Sequence, residues 1–195
     1  MSTPARILTV CTGNVCRSPF LERALQAELD RSWGAGAVEV SSAGTGALAG
    51  DPMEPNARTF LEQNGYAADG FVARQLTTDI VSGADLVLTA TREHRGKVAQ
   101  LHPRALRYVF AFREFAELVS GVAPDRLAEP ADDAREHVTR VVALAAGERG
   151  LRPPLPDQEA NIVDPYRRAP EVFDRMARQI MDSLPAVAQA LGGPR

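Results

Sequence analysis

Short apolar runs rich in branched residues alternate along the chain with longer stretches of helical periodicity. Residues Arg6–Val10 (Arg-Ile-Leu-Thr-Val) form the first run and predict a buried strand. Ser18 then offers a hydroxyl N-cap and Pro19 a first helical position. Leu21, Ala24, Leu25 and Leu29 follow at i, i+3, i+4 and i+8, the stripe of a half-buried helix, with Glu28 at its solvent edge. A second strand is predicted over 37–42, and a glycine-rich loop over 44–50. Next come a helix from Pro55 to Asn64 closed by Gly65, a third strand over 85–90, and a helix from Glu93 to Leu101. Residues 106–111 predict a fourth strand. The last helix spans Pro170–Leu191, with a stripe of Phe173, Met176, Ile180, Leu184, Val187 and Leu191. Pro185 lies inside it, a place for a kink or a break. Strands alternating with helices predict an α/β fold, a parallel sheet covered on both faces.

The stretch from about 121 to 161 departs from this rhythm. Proline-containing ends flank a polar, helix-prone segment from Asp132 to Leu144, with Val138, Val141, Val142 and Ala145 at helical spacing. It reads as an inserted helix with mobile edges.

Composition narrows the function classes. The chain has 195 residues, enough for one domain, or one domain with an insertion, around a substantial core. A net charge of −3 gives no basic footprint for nucleic acid and no polybasic membrane anchor. Residues 1–6 lack an apolar signal core, and no apolar stretch approaches the roughly 18 residues of a spanning helix. The cytoplasm is the expected compartment. Two cysteines, Cys11 and Cys16, cannot staple a domain of this size, and closely spaced cysteines in a reducing compartment are more often chemical.

The chemistry concentrates between the first strand and the first helix, at Cys11-Thr12-Gly13-Asn14-Val15-Cys16-Arg17-Ser18. A loop leading into a helix N-terminus presents successive backbone N–H groups to an anion, and the helix dipole adds to them. Gly13 permits a tight backbone, and Asn14 tolerates the left-handed region. The field that binds phosphate also favours thiolate, which makes Cys11 a candidate nucleophile. Arg17 can hold two phosphate oxygens in a bidentate fork, and Ser18 is placed to donate to the thiolate. The rest of the loop, Thr12 to Cys16, would line the anion site. A cysteine at a strand end is ordinarily a small buried hydrophobe, and Cys-x5-Arg alone is a weak signal. The preceding strand, the Gly-Asn pair and Ser18-Pro19 supply the context that strengthens it.

Residues 10–19, Val-Cys-Thr-Gly-Asn-Val-Cys-Arg-Ser-Pro, resemble the signature of the low-molecular-weight protein-tyrosine phosphatases. The resemblance continues at Ser42-Ala43-Gly44, at Ala73-Arg74-Gln75-Leu76 and at Asp164-Pro165-Tyr166. It implies a three-layer αβα sandwich on a four-stranded parallel sheet (phosphotyrosine protein phosphatase I-like). It also implies a two-step mechanism without metal or cofactor, and a monomeric enzyme acting on phosphotyrosine-containing proteins, bacterial tyrosine kinases among them.

Any cysteinyl-phosphate mechanism needs an acid near the leaving oxygen. Asp164 is held stiffly by Pro165, although Asp-Pro-Tyr by itself reads as a turn. The resemblance assigns Asp164 as general acid and then base, and Tyr166 as a pocket wall. Leu48, beside Ala47, forms the other wall, and Arg167 and Arg168 would set a basic rim. Phe71 stands where many members of the family carry a histidine that buttresses the loop through a serine, here Ser42, so packing is expected to replace that bond. The resemblance further implies that Cys16 can form a reversible disulfide with Cys11.

Gly44-Thr45-Gly46-Ala47-Leu48-Ala49 fits a dinucleotide fingerprint, but Pro52 and Pro55 follow where that motif needs a helix. Gly96-Lys97 lacks the first glycine and the hydroxyl residue of a nucleotide-binding loop. His94, His102 and His137 show no metal-ligand spacing and read as surface or packing residues. Three rivals remain. An arsenate reductase on this fold would need an external thiol, and a phosphoarginine phosphatase typically carries threonine where this chain has Val15. A phosphate-sensing scaffold would not need Cys11, Arg17 and Asp164 together.

Overall fold

The computed structural model describes residues 3–193; Met1 and Ser2, part of the stretch read for a signal core, lie outside it. Four strands, β1 (Ala5–Cys11), β2 (Val38–Gly44), β3 (Leu86–Thr89) and β4 (Val109–Ala111), form one sheet in the order β2-β1-β3-β4. All three pairings are parallel, with Ile7 opposite both Val40 and Leu86. Strands buried on both sides read as continuous apolar runs rather than alternating ones, which is why they were visible in the sequence.

One face of the sheet carries α1 (Arg17–Trp33), α5 (Phe112–Gly121), α7 (Ala134–Gly147) and α9 (Pro170–Leu191), with α2 (Pro55–Gln63) against α1 and α9. The other carries α3 (Thr78–Ser82) and α4 (Arg92–Leu101), packed on Leu8, Val10, Val87 and Val109. The result is the three-layer αβα sandwich. Two single turns, α6 (Pro124–Leu127) and α8 (Asp157–Ala160), complete the helices.

Four expectations change in detail. Helix α1 begins at Arg17 with Cys16 at its N-cap, and among the described residues no side chain caps it. Ser18 therefore sits in the first turn, its hydroxyl free for other work. The fourth strand is only Val109–Ala111, because Pro103 opens a 3-10 turn through Arg107 that leaves Leu106 exposed. Helix α5 follows at once, its buried face Phe112, Phe115, Ala116 and Val119 at i, i+3, i+4 and i+7, a stripe that adjoining β4 concealed. Finally, α9 runs unbroken through Pro185. That residue lies on the exposed side, where water can take the carbonyl its ring leaves unbonded.

Within 121–161, α7 buries Val138, Val141, Val142 and Ala145 and packs on α5, α9, β1 and β3. Among the described residues no helix is long and apolar enough to cross a membrane.

Strand β1 is followed by β2 on one side, and β3 then pairs with its other edge. In open α/β sheets, ligands bind beyond the carboxyl ends of the strands at such a reversal. Cys11 is the last residue of β1.

Candidate active site

The loop from Thr12 to Cys16 has its carbonyls and its N–H groups turned to different partners. The carbonyls are tied back to the segment after β2. Thr45 N donates to Cys11 O, Gly46 N to Thr12 O, Leu48 N to Gly13 O and Glu54 N to Val15 O, at 2.8–3.1 Å. By contrast, none of the N–H groups of Gly13, Asn14, Val15 and Cys16 has a protein acceptor among the described residues. Asn14, Val15 and Cys16 are buried. Buried backbone donors are nearly always satisfied, so four adjacent unpaired ones define an anion cradle.

Asn14 makes the turn possible, with φ of 55°. Its side chain then braces it: Nδ2 donates to Ser18 Oγ at 2.9 Å and Ser42 Oγ at 2.8 Å, while Oδ1 accepts from Arg74 N at 2.8 Å. The glycine that the geometry requires is Gly44 rather than Gly13. A Cβ on Gly44 would stand 2.3 Å from the Thr12 carbonyl, whereas one on Gly13 would meet only ordinary contacts.

Cys11 Sγ lies 3.0 Å from Ser18 Oγ. Because Ser18 Oγ already accepts from Asn14, its own proton is free to point at sulfur. Arg17 is buried, its guanidinium reaching Asp164 Oδ2 at 3.0 Å and the Ile162 carbonyl at 3.5 Å, while Nε has no partner among the described residues. A buried guanidinium with donors to spare is built for a further oxyanion. Asp164 is 56% exposed at its side chain, open to whatever enters.

These groups surround a cavity of about 140 Å³ lined by Cys11, Thr12, Gly13, Val15, Cys16, Arg17, Gly46, Leu48, Asp164 and Tyr166. Leu48 and Tyr166 both line it with large hydrophobic side chains. The side chains of Asn14 and Ser18 do not line the cavity and brace the loop through each other, Ser42 and Arg74. Arg167 does not line it either: in the left-handed region at φ 57°, it lays its guanidinium over the Tyr166 ring. Cys16 is a buried thiol, unpaired with Cys11. Burial, then the neighbouring Cys11, pushes its pKa up, so it stays protonated.

Three contributors escaped sequence reasoning. Ser42 Oγ donates to Glu22 Oε2 at 2.5 Å, so a carboxylate on α1, not packing by Phe71, closes the buttress behind the loop. Its signal was present: Ser18 and Glu22 are four apart on one helix face. Arg92 is the second. Its backbone N–H donates to Asn161 Oδ1, and its side chain reaches Glu114, Asp157 and the Leu155 carbonyl. It fastens the strap that precedes Asp164, and Ile162 N donating to Ala90 O seats that strap on the sheet. The third, His94, is buried against Thr12 rather than at the surface.

Burial raises the pKa of Glu22, with the Ser42 hydrogen bond and the charges of Arg23 and Arg74 opposing weakly. The folded state therefore holds that proton more tightly than the unfolded state. Its contribution is greatest below the ordinary glutamate value and is lost as pH rises through the raised one. Glu22→Gln keeps an acceptor for Ser42 and removes the buried charge. Thermal unfolding should show the variant at least as stable as wild type at pH 8, with the difference shrinking toward pH 4. A variant markedly less stable at pH 8 would show that the charge itself holds the loop.

Fold and site together define a cysteine-dependent phosphate-monoester hydrolase of the phosphate-loop type. The sequence model of "Low molecular weight phosphotyrosine protein phosphatase" matches residues 6–150, and the chain belongs to that family. It is 32% identical over 146 residues to the low molecular weight protein-tyrosine-phosphatase Etp of Escherichia coli K12, covering 75% of this chain and 93% of that protein. Among solved structures, Vibrio vulnificus Wzb in complex with benzylphosphonate superposes with a TM-score of 0.65 at 26% identity, over 94% of this chain and 97% of that one. The YwlE arginine phosphatase from Geobacillus stearothermophilus gives 0.65 at 25% identity, over 95% and 91%.

Proposed function

We propose that the chain hydrolyses phosphotyrosine in proteins through a cysteinyl-phosphate intermediate. The four N–H groups of the loop that lack a protein acceptor among the described residues, beside the Thr12, Gly13 and Val15 carbonyls that are tied back to the segment after β2, carry this reading. They receive the nonbridging oxygens, and Arg17 turns from Asp164 to complete the cradle. Cys11 sulfur attacks phosphorus in line and the P–O bond to the tyrosine breaks. Asp164 gives its proton to the departing phenolic oxygen. The resulting carboxylate takes a proton from water as that water attacks phosphorus. The S–P bond then breaks, and Ser18 donates a hydrogen bond to the leaving thiolate.

Val15 and Leu48 present apolar surface to the substrate, and Tyr166 can pack beside an aromatic ring. This apolar lining favours the ring of phosphotyrosine over the charged guanidinium of phosphoarginine. The partner is a phosphotyrosine-bearing protein, with a bacterial tyrosine kinase as one such substrate. The site of action is the cytoplasm, where the Cys11 thiol stays reduced. The segment 121–161 is read as an insertion whose helix joins the core and whose end carries the acid loop.

Matched peptides bearing phosphotyrosine or phosphoarginine test this reading. We expect kcat/KM to favour phosphotyrosine by about tenfold or more. The reverse order would make the chain an arginine phosphatase, and no hydrolysis of either would leave a phosphate-sensing role.

A further inference from the structure

Thr91, His94 and Thr12 form an unbroken line of polar contacts that ends at the cavity, and none of the roles assigned to Cys11, Arg17, Ser18 and Asp164 uses it. His94 Nδ1 lies 2.7 Å from Thr91 Oγ1, and His94 Nε2 lies 2.8 Å from Thr12 Oγ1. The ring is buried, yet Thr12 lines the cavity and is exposed there. Burial, then the positive charges of Arg17 and Lys97, pulls the His94 pKa down to about 4. At neutral pH the imidazole therefore has one donor nitrogen and one acceptor.

Hydrogen-bond accounting assigns them. Thr91 caps α4: its Oγ1 accepts from His94 N at 3.2 Å. Among the described residues, the Thr91 hydroxyl proton has one acceptor within reach, His94 Nδ1. With Nδ1 accepting, Nε2 carries the proton and donates to Thr12 Oγ1. Thr12 has no other side-chain bond among the described residues, so its own proton is left to point elsewhere. The opposite tautomer would strand the Thr91 proton and spend the Thr12 proton on the ring.

We propose that His94 is a positioning residue that fixes the Thr12 hydroxyl as a donor to the phosphoryl group, making Thr12 a further substrate-binding residue of the loop. The inference rests on the cavity being the phosphate site. It adds an aimed O–H donor to the four backbone N–H donors, and it explains why a histidine is buried beside a cationic loop where it cannot titrate at neutral pH. The line also ties the loop to the start of α4, beside the strap that leads to Asp164.

Inorganic phosphate is the probe, because its binding can be read whether or not the chain turns over phosphotyrosine. Calorimetry should give a Kd raised about tenfold by Thr12→Val and restored by Thr12→Ser, since losing a hydrogen bond to an ion costs about that much. His94→Phe should raise Kd similarly in the wild-type background and hardly at all in the Thr12→Val background. His94→Gln, with an amide donor near the Nε2 position, should recover much of the loss. In turnover, KM should move more than kcat. Nitrogen NMR should find the Nε2–H tautomer. Unchanged phosphate binding in Thr12→Val, strictly additive effects of the two sites, or an Nδ1–H tautomer would each overturn the proposal. If wild type binds phosphate with this pattern but hydrolyses no phosphoester, the assignment of function fails while the role of His94 stands.

Discussion

Cys11→Ser should lower turnover of phenyl phosphate by at least about four orders of magnitude while leaving the fold and phosphate binding in place. The substitution changes one atom, and the four N–H groups and Arg17 that hold the anion do not depend on it. A serine hydroxyl stays protonated at neutral pH, and Ser18, whose proton points at position 11, has no basic group with which to remove it. The variant therefore binds without reacting. Calorimetry with inorganic phosphate should give a Kd no weaker than that of wild type. Rapid acid quenching of the wild-type enzyme during turnover should trap one phosphoryl group on Cys11, and none on the variant. A variant retaining even about 1% of activity would move the nucleophile elsewhere in the chain.

The parts legible in the sequence were those written locally. Residues 6–19 carry a strand, a turn and a helix start within one short window, and each signal there depends on neighbours in the chain. The sheet followed from four apolar runs because both of its faces are covered. What stayed hidden was made by distant contacts. Glu22 meets Ser42 from another element, and His94 meets Thr12 across 82 positions. His94 did leave a trace, since a hydroxyl N-cap three residues before a polar side chain invites that side chain to reach back. Gly13 was read as permitting a tight backbone, but the glycine at the site with no room for a side chain is Gly44. The crowding is between β2 and the loop, and only a three-dimensional arrangement brings Gly44 under the Thr12 carbonyl. The place of Arg167 was hidden for a related reason: no neighbour in sequence announces its left-handed backbone or its seat over the Tyr166 ring.

Asp164→Asn separates the acid from the cradle. Asparagine keeps the size and the turn, since its side-chain oxygen can still accept from Tyr166 N as Asp164 Oδ1 does at 3.2 Å. It cannot deliver a proton to a leaving oxygen. Phenyl phosphate, whose phenolate is a poor leaving group, should be hydrolysed about 10²- to 10⁴-fold more slowly. A dinitrophenyl phosphate, whose leaving group departs without protonation, should lose far less in the step that forms the intermediate. A rapid burst of dinitrophenolate should therefore survive, followed by slow turnover, because the water that attacks Cys11-phosphate has lost its base. The ion pair to Arg17 gives the same substitution an opposite effect on binding. With the carboxylate gone, Arg17 has no competing anion, so inorganic phosphate should bind at least as tightly as to wild type. Slower chemistry together with undiminished phosphate affinity is the signature of an acid that also holds the arginine in waiting. Equal losses for both esters would instead place Asp164 among the residues that merely shape the cavity.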